Sequence, residues 1–212
     1  NDTFVAALRA GGYRTLTTAM DGTSDRVRQI LDRRARPKQL LEAARLVREH
    51  RLLRLKLYLM IGTPGELDED VDECVAFVNE LTQISPVALS LAPFVAKRNT
   101  PLDGQPFAGI KVVDKRLERL RKGLRGRADV RATSARWAWV EYVLAQGGVP
   151  EGRALRLAVH AGGRFADYRR AFEARDVTTT RKKLFVIRST AAEGRRHQRW
   201  LEAVDLPHRT PV

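Results

Sequence analysis

The sequence contains one cysteine, and this scarcity excludes two kinds of stabilisation. A single thiol cannot form a disulfide within the chain, and by itself it cannot hold a metal site. Cys74 stands among apolar residues at spacings of three and four, with Val71, Val78 and Leu81 on the same face. This pattern predicts a buried thiol on the inner side of a helix.

Long apolar runs and targeting signals are also missing. No stretch approaches the roughly 20 residues that a membrane-spanning helix requires. The first residues, Asn1 to Phe4, lack the basic and apolar regions of a signal peptide, and no initiator methionine precedes them. We therefore expect a soluble, cytoplasmic protein without membrane contact, and a chain that begins at a cut or processed position.

The sequence lacks the short motifs of several enzyme classes. It has no Gly-x-Ser-x-Gly turn, no His-Glu-x-x-His helix and no phosphate loop ending in Gly-Lys-Ser/Thr. The histidines are scattered and form no ligand cluster (His50, His160, His197 and His208). No catalytic residue and no metal ligand is therefore predicted within these residues.

Basic residues, by contrast, are in excess. The 39 lysines and arginines exceed the 25 acidic residues and give a formal net charge of +14. Such a balance favours association with polyanions, nucleic acid first among them. The arginines are spread along the chain, without zinc-finger spacing or an RNA-binding strand motif. One hypothesis is therefore a basic α/β module that binds nucleic acid without catalysis, which requires the arginines to converge on one face.

Strands and helices alternate in the first part of the sequence. Runs at 13–19, 55–61 and 87–91 predict three strands, and helical patterns lie between them. The run at 55–61 is apolar almost throughout, so burial on both faces is expected. Crossovers of this length join parallel strands. The sequence thus predicts an α/β fold, a partial parallel (β/α) barrel of the TIM-barrel type.

After Pro93 the sequence changes character. Residues 94–111 are rich in proline and glycine and predict an irregular connection. Later segments predict four helices and two short strands (112–124, 129–132, 135–146, 152–161, 165–174 and 183–187). We divide the chain into a barrel part at 1–102, a linker at 103–111, and a mainly helical extension with a basic tail at 112–212.

Three loops follow the predicted strands at one edge of the sheet. They are Met20–Ser24, Gly62–Glu66 and Pro93–Thr100. Parallel sheets and barrels bind ligands at the carboxyl ends of their strands. Asp21, a serine hydroxyl, helix arginines and glycines at this edge suit a zwitterionic or nucleoside-like ligand.

Three segments also carry a family resemblance. Gly12–Val27 contains a strand and its following helix, and Leu57–Glu66 is similar to an apolar strand ending Ile-Gly-Leu-Pro-Gly-Glu-Thr. Leu91–Leu102 looks like a final core strand. In this order and spacing the segments resemble the second half of the core barrel of radical S-adenosylmethionine (radical SAM) enzymes. The last segment resembles a subgroup related to methylthiotransferases and to enzymes with cobalamin-binding domains.

The resemblance implies an enzyme that reductively cleaves S-adenosylmethionine at a [4Fe–4S] cluster. In this family the resulting 5′-deoxyadenosyl radical abstracts hydrogen from a substrate. The cluster is bound by Cys-x-x-x-Cys-x-x-Cys after the first barrel strand, which we expect upstream of Asn1. The chain is then a fragment that is inactive alone, binds no cofactor by itself, and has the missing N-terminal half of the same polypeptide as its partner. RNA is a candidate substrate, because some members of the family modify RNA.

The family's cofactor-binding positions map onto eight residues of this sequence. Asp21 and Ser24 are expected near the ribose or methionine moiety, although the family commonly has glutamate where Asp21 stands. Arg33 is expected to meet the methionine carboxylate. The adenine is expected to contact residues at the ends of two strands (Met60, Ile61 and Gly62 on one, Ala92 and Pro93 on the other). Glu66 is expected to serve the N-terminus of the next helix.

A barrel cut midway also predicts an exposed edge and an exposed face. The first strand loses its neighbour, so its backbone groups lie unpaired. Parts of Leu57, Leu59 and Ile61 are expected to be exposed on the concave face. We therefore expect self-association through the cut edge.

Overall fold

The computed structural model describes residues 1–33 and 35–174. The predicted strand at 183–187 and the basic tail lie outside the described residues. The chain divides into two compact units, one of residues 1–93 and 111–133, the other containing 94–110 and 134–174 among the described residues. None of the helices in the described ranges is both long and apolar enough to cross a membrane.

The first unit alternates strands and helices as predicted through Pro93, and a further helix and strand follow. Its elements are α1 (Asp2–Ala10), β1 (Thr15–Asp21), α2 (Asp25–Ile30), α3 (Pro37–Glu49), β2 (Arg54–Ile61), α4 (Asp68–Thr82), β3 (Val87–Pro93), α5 (Ile110–Gly123) and β4 (Ala128–Ala132).

The four strands form one parallel sheet in the order β1-β2-β3-β4. Strands that follow each other in sequence are neighbours in space, as in a segment of a (β/α) barrel. Helix α3 packs against β1 and β2, and α4 packs against β3 and β4. The predicted α/β class, with a parallel sheet and a helix-rich C-terminal part, is confirmed.

Strand β4 extends the sheet beyond the three strands of the barrel part. It pairs with β3 from Val87↔Ala128 to Leu91↔Ala132. Because of this pairing, residues 111–133 belong to the sheet unit, whereas the sequence-based division starts the helical extension at residue 112.

The two faces of the sheet differ sharply in burial. In β2 the odd-numbered residues from Leu55 to Ile61 are each at most 3% exposed, and the even-numbered Tyr58 is 46% exposed. The expectation that β2 is buried on both faces is therefore wrong within this unit. The predicted exposure of Leu57, Leu59 and Ile61 is also wrong, because strand alternation turns these side chains to the buried side.

The second unit contains three helices, α6 (Ala135–Gln146), α7 (Val149–His160) and α8 (Phe165–Glu173). Val140, Val143, Ala154 and Phe172 form its core, with aromatic side chains packed around them. Residues 94–109 contain no helix or strand, as predicted.

Candidate functional site

A pocket of about 380 Å³ opens on the exposed face of the sheet, toward the carboxyl ends of the strands. Its lining comes from all four strands, including Asp21 of β1 and Arg131 of β4, and from Thr133 just after β4. A volume of this order accommodates a small molecule. The pocket lies at the edge where parallel sheets bind their ligands.

Strand register arranges the lining in two rows. Tyr58, Ser90 and Arg131 are direct neighbours across β2, β3 and β4 and form a polar row. Two residues farther along the strands, Met60 and Ala92 are neighbours and form an apolar row at the edge. The pocket therefore has an apolar rim, formed by Met60 and Ala92 at the carboxyl ends of the strands. The polar row lies closer to the middle of the sheet.

Asp21 ends β1 in an unusual backbone conformation. A register shift separates Ala19 from Asp21, and the φ angle of Asp21 is 62°. Aspartate tolerates this left-handed region better than most residues, and such strained positions are common at functional sites. The bulge brings the Asp21 carboxylate to 2.7 Å from Nε of Arg33. The structure thus joins two of the predicted site residues in one ion pair.

Ser24 holds the start of α2 and does not line the pocket. Its fully buried hydroxyl donates to Asp70 Oδ1 at 2.6 Å and accepts from the Val27 amide at 3.0 Å. Both interactions are made with protein groups, the second of them a helix cap. Ser24 therefore orients the loop after β1 through α2 and α4.

Gly62 and Thr23 are joined by the carboxylate of Glu66. The Gly62 amide donates to Glu66 Oε2 at 2.6 Å, and the Thr23 hydroxyl donates to Oε1 at 2.7 Å. Burial raises the pKa of Glu66, against the hydrogen bonds from Thr23 and Gly62 and the charge of Arg116, which lower it. The expectation that Glu66 serves the next helix is wrong, because its oxygens connect the loops after β1 and β2.

Asp70 takes the role that was expected of Glu66. Its Oδ2 accepts from the Leu67 amide at 2.6 Å at the start of α4. Burial acts to raise the pKa of Asp70, but hydrogen bonds from Arg26, Ser24 and the Leu67 amide outweigh it and hold the pKa below the ordinary value. Two carboxylates, Glu66 and Asp70, thus fix the two loops against each other.

The eight predicted residues fall into distinct positions. Asp21, Met60 and Ala92 line the pocket. Ile61 and Pro93 are register neighbours and are buried on the opposite side of the sheet, so a ligand in the pocket could reach only their backbone. The other three do not belong to the lining. Arg33 pairs with the lining residue Asp21, whereas Ser24 and Gly62 bond to the buried carboxylates that join the two loops.

Sequence reasoning missed the polar row of Tyr58, Ser90 and Arg131. Strand alternation was the available signal, because Tyr58 shares a face with Met60, and Ser90 shares one with Ala92. Arg131 could not be found in this way, since its position depends on β4 pairing with β3.

Tyr58 is paired with a lysine on its own strand. Lys56 Nζ donates to the Tyr58 hydroxyl at 2.9 Å and lies 4.7 Å from the centre of its ring. The hydrogen bond and the charge of Lys56 lower the pKa of Tyr58. The phenol is therefore a better hydrogen-bond donor than an ordinary tyrosine.

The sequence's single cysteine is unsuited to cluster binding. Cys74 is fully buried, and burial together with the charge of Glu66 raises its pKa to about 12. Cluster ligation requires thiolates, so Cys74 does not fit this role. Within residues 1–33 and 35–174, no group of three or more His, Cys, Asp or Glu side chains could hold a metal ion.

Comparison with known proteins supports a family for the sheet unit. Residues 1–78 match the model of the radical SAM superfamily. An uncharacterised protein of Methanocaldococcus jannaschii is 29% identical over 112 residues, which cover 50% of this chain and 25% of that protein. The chain therefore aligns with about a quarter of this relative's length. No solved structure matches the chain.

Proposed function

We propose that this chain is the C-terminal part of the core barrel of a radical SAM enzyme that cleaves S-adenosylmethionine reductively. The observation that carries the proposal is that the family match and the pocket share residues. The family match over residues 1–78 covers Asp21 and Met60, and both line the pocket at the carboxyl edge of the sheet. Reductive cleavage at a [4Fe–4S] cluster is the chemistry that the cofactor supplies when bound.

The residues at the sheet edge fit parts of such a cofactor. Asp21 can accept hydrogen bonds from ribose hydroxyls or an ammonium group, and Arg33 can donate to the methionine carboxylate beside it. Met60 and Ala92 offer apolar contact to the adenine. Gly62, with a φ angle of 75°, keeps the turn after β2 open to close approach.

The residues do not fit the iron–sulfur cluster. The sequence supplies one cysteine, and Cys74 is buried on α4 with a strongly raised pKa. We therefore place the cluster ligands in a part of the polypeptide outside these 212 residues. In this proposal the chain positions the cofactor and has no cleavage activity alone.

The proposal extends to subgroup, partner and location. The resemblance of Leu91–Leu102 favours the subgroup related to methylthiotransferases and cobalamin-binding enzymes. The preceding half of the barrel is the expected partner of the β1 edge, and the expected location is the cytoplasm. Self-association through that edge is the expected behaviour of the chain alone.

The alternative, a nucleic-acid-binding module, has less support from the described residues. It requires arginines that are free to converge on one face. Several arginines of the sheet unit instead pair with carboxylates (Arg26 with Asp70, Arg33 with Asp21, Arg54 with Asp129, Arg116 with Glu66 and Arg119 with Asp72). Such pairing reduces the charge available to phosphates.

The test uses the complete reading frame that contains these residues, expressed and purified without oxygen. We expect a three-cysteine motif upstream and a [4Fe–4S] absorption and EPR signature. With dithionite supplying the electron that reduces the cluster, S-adenosylmethionine should be cleaved to methionine and a 5′-deoxyadenosyl radical, which is recovered as 5′-deoxyadenosine once it has taken up a hydrogen atom. Asp21→Asn and Arg33→Gln should each slow this cleavage, while Arg45→Gln, which removes a surface charge on α3, should not. A complete reading frame without such cysteines, or a reconstituted cluster that yields no 5′-deoxyadenosine, would disprove the proposal.

A further inference from the structure

The polar row of Tyr58, Ser90 and Arg131 lies directly below the apolar rim of the pocket. Met60 and Ala92 of the rim are two residues farther along β2 and β3 than Tyr58 and Ser90. Two residues of a strand span about 7 Å. The two rows can therefore contact different parts of one site, the rim the cofactor and the polar row a second molecule.

The sheet face that carries this row is positively charged. The even-numbered positions of β2 include Arg54 and Lys56, and the same face of β4 carries Asp129 and Arg131. Asp129 Oδ2 is 3.2 Å from Nε of Arg131 and 3.5 Å from Nη1 of Arg54, so one carboxylate is shared between two guanidinium groups. Lys56 adds a third positive charge on this face, next to Tyr58, to whose hydroxyl it donates a hydrogen bond. Apart from Asp21, which lines the same pocket and pairs with Arg33, this face thus carries three basic side chains and one acidic side chain.

The members of the row offer the donors that an anion requires. The Arg131 side chain is 78% exposed and lines the pocket, so its guanidinium can turn toward a ligand. Ser90 adds a hydroxyl, and Tyr58 adds a phenol that Lys56 makes more acidic. A guanidinium with two neighbouring hydroxyls suits the planar oxygens of a carboxylate or the tetrahedral oxygens of a phosphate.

We propose that Tyr58, Ser90 and Arg131 bind the anionic group, a carboxylate or a phosphate, of a small-molecule substrate. The inference rests on the proposed function, since it takes the rim above as the cofactor edge. The bound anion then lies two residues, about 7 Å, away from Met60 and Ala92 along the strands. The uncharged part of the substrate extends toward these two residues. A pocket of about 380 Å³ favours a small acid over a polynucleotide.

The test measures anion binding by the 212-residue chain, without cofactor and without activity. Isothermal titration at 0.1 M salt uses pyrophosphate in one arm and succinate in the other, which separates phosphate from carboxylate recognition. Arg131→Gln should weaken binding of the preferred anion about tenfold, and Tyr58→Phe should weaken it a few fold, because hydrogen bonds to charged groups are lost. Circular dichroism checks that both variants fold.

The control is Arg45→Gln, because Arg45 is also exposed and paired with a carboxylate but lies on α3 away from the pocket. It should leave binding unchanged. A second measurement follows the pKa of Tyr58, which the bound anion should raise. The absorbance at 295 nm is recorded against pH, and the difference between the chain and its Tyr58→Phe variant isolates the titration of Tyr58.

Three outcomes would overturn the inference. One is no binding of either anion, and another is equal weakening by Arg131→Gln and Arg45→Gln. The third is an RNA oligonucleotide that binds with an Arg131-dependent affinity when neither small anion does. These results do not depend on S-adenosylmethionine cleavage, so the proposed function can stand or fail separately.

Discussion

Arg116 of α5 contacts Glu66 twice, once through the side chain and once through the backbone. Its Nη1 lies 3.0 Å from Glu66 Oε2, and its Nη2 donates to the Glu66 carbonyl oxygen at 2.6 Å. The same carboxylate accepts from Thr23 and Gly62. Helix α5, which follows the irregular connection after β3, therefore stabilises both loops at the pocket edge.

Replacing Arg116 should cost stability in a pH-dependent manner. Arg116→Gln leaves the Glu66 carboxylate buried without its cation, which we expect to cost on the order of 3 kcal/mol at pH 7. Burial already raises the pKa of Glu66, and loss of Arg116 raises it further. A group with a raised folded-state pKa stabilises when protonated, so the cost should shrink as pH falls toward 5.

Urea unfolding of the variant at pH 7 and pH 5 checks this expectation. The control is Arg119→Gln on the same helix, since Arg119 pairs with Asp72 at a site where both side chains are over 40% exposed. That change should cost little stability, because water screens an ion pair between two exposed side chains. If both variants lost the same free energy of unfolding, the contact between Arg116 and Glu66 would stabilise the protein no more than an exposed ion pair does.

Ser24→Ala should destabilise the sheet unit through two lost hydrogen bonds. The hydroxyl caps α2 through the Val27 amide and donates to Asp70. Loss of a helix cap costs roughly 1 kcal/mol, and loss of the hydrogen bond to the buried Asp70 carboxylate adds to this cost. Ser134→Ala is the matched control, because Ser134 stands at the N-cap of α6 without a side-chain cap bond. Thermal unfolding should show a clear loss for Ser24→Ala only.

Gly22→Ala should also destabilise, because the helix after β1 packs against this glycine. An added Cβ at Gly22 would lie 2.7 Å from the backbone nitrogen of Arg28. The helix backbone cannot shift without disturbing its packing, so we expect the free energy of unfolding to fall by about 2 kcal/mol. Gly152→Ala in α7 meets nothing within 4 Å and should stabilise by up to about 1 kcal/mol. Chemical denaturation of both variants should give shifts of opposite sign.

Cys74 should be unreactive in the folded chain. Burial raises its pKa to about 12, so the thiolate fraction at pH 8 is small and the sulfur is covered. Reaction with a disulfide reagent at pH 8 should be on the order of a thousandfold slower than in urea. Rapid labelling of the native chain would place Cys74 at the surface and contradict the packing of α4.

The pKa of Tyr58 should lie below the ordinary value of a tyrosine side chain. Its hydrogen bond with Lys56 and the lysine charge stabilise the phenolate, so the Tyr58 pKa is lowered. Lys56→Met removes both effects, which are the largest causes of the shift, and should raise the pKa of Tyr58 toward the ordinary value. Absorbance at 295 nm between pH 8 and 12, with Tyr58→Phe as the reference, measures the shift. An unchanged titration in Lys56→Met would show that the pair does not form in solution.

Local sequence patterns were sufficient to predict most elements. The buried Cys74 face of α4 follows from residues at spacings of three and four within a few helical turns. The parallel order followed from crossover length, which leaves few other ways to connect such strands. The sheet edge with Asp21 and Met60 was predictable for the same reason.

Tertiary structure decided which side chains face the pocket. An apolar run such as Leu55–Ile61 does not reveal which face the helices cover, so the burial of Leu57 and the exposure of Tyr58 required the packed sheet. Arg116 contacts Glu66, and Arg131 stands next to Ser90 in the strand register, in both cases across dozens of residues of sequence. No local pattern encodes such contacts, because they exist only once α5 and β4 have joined the sheet.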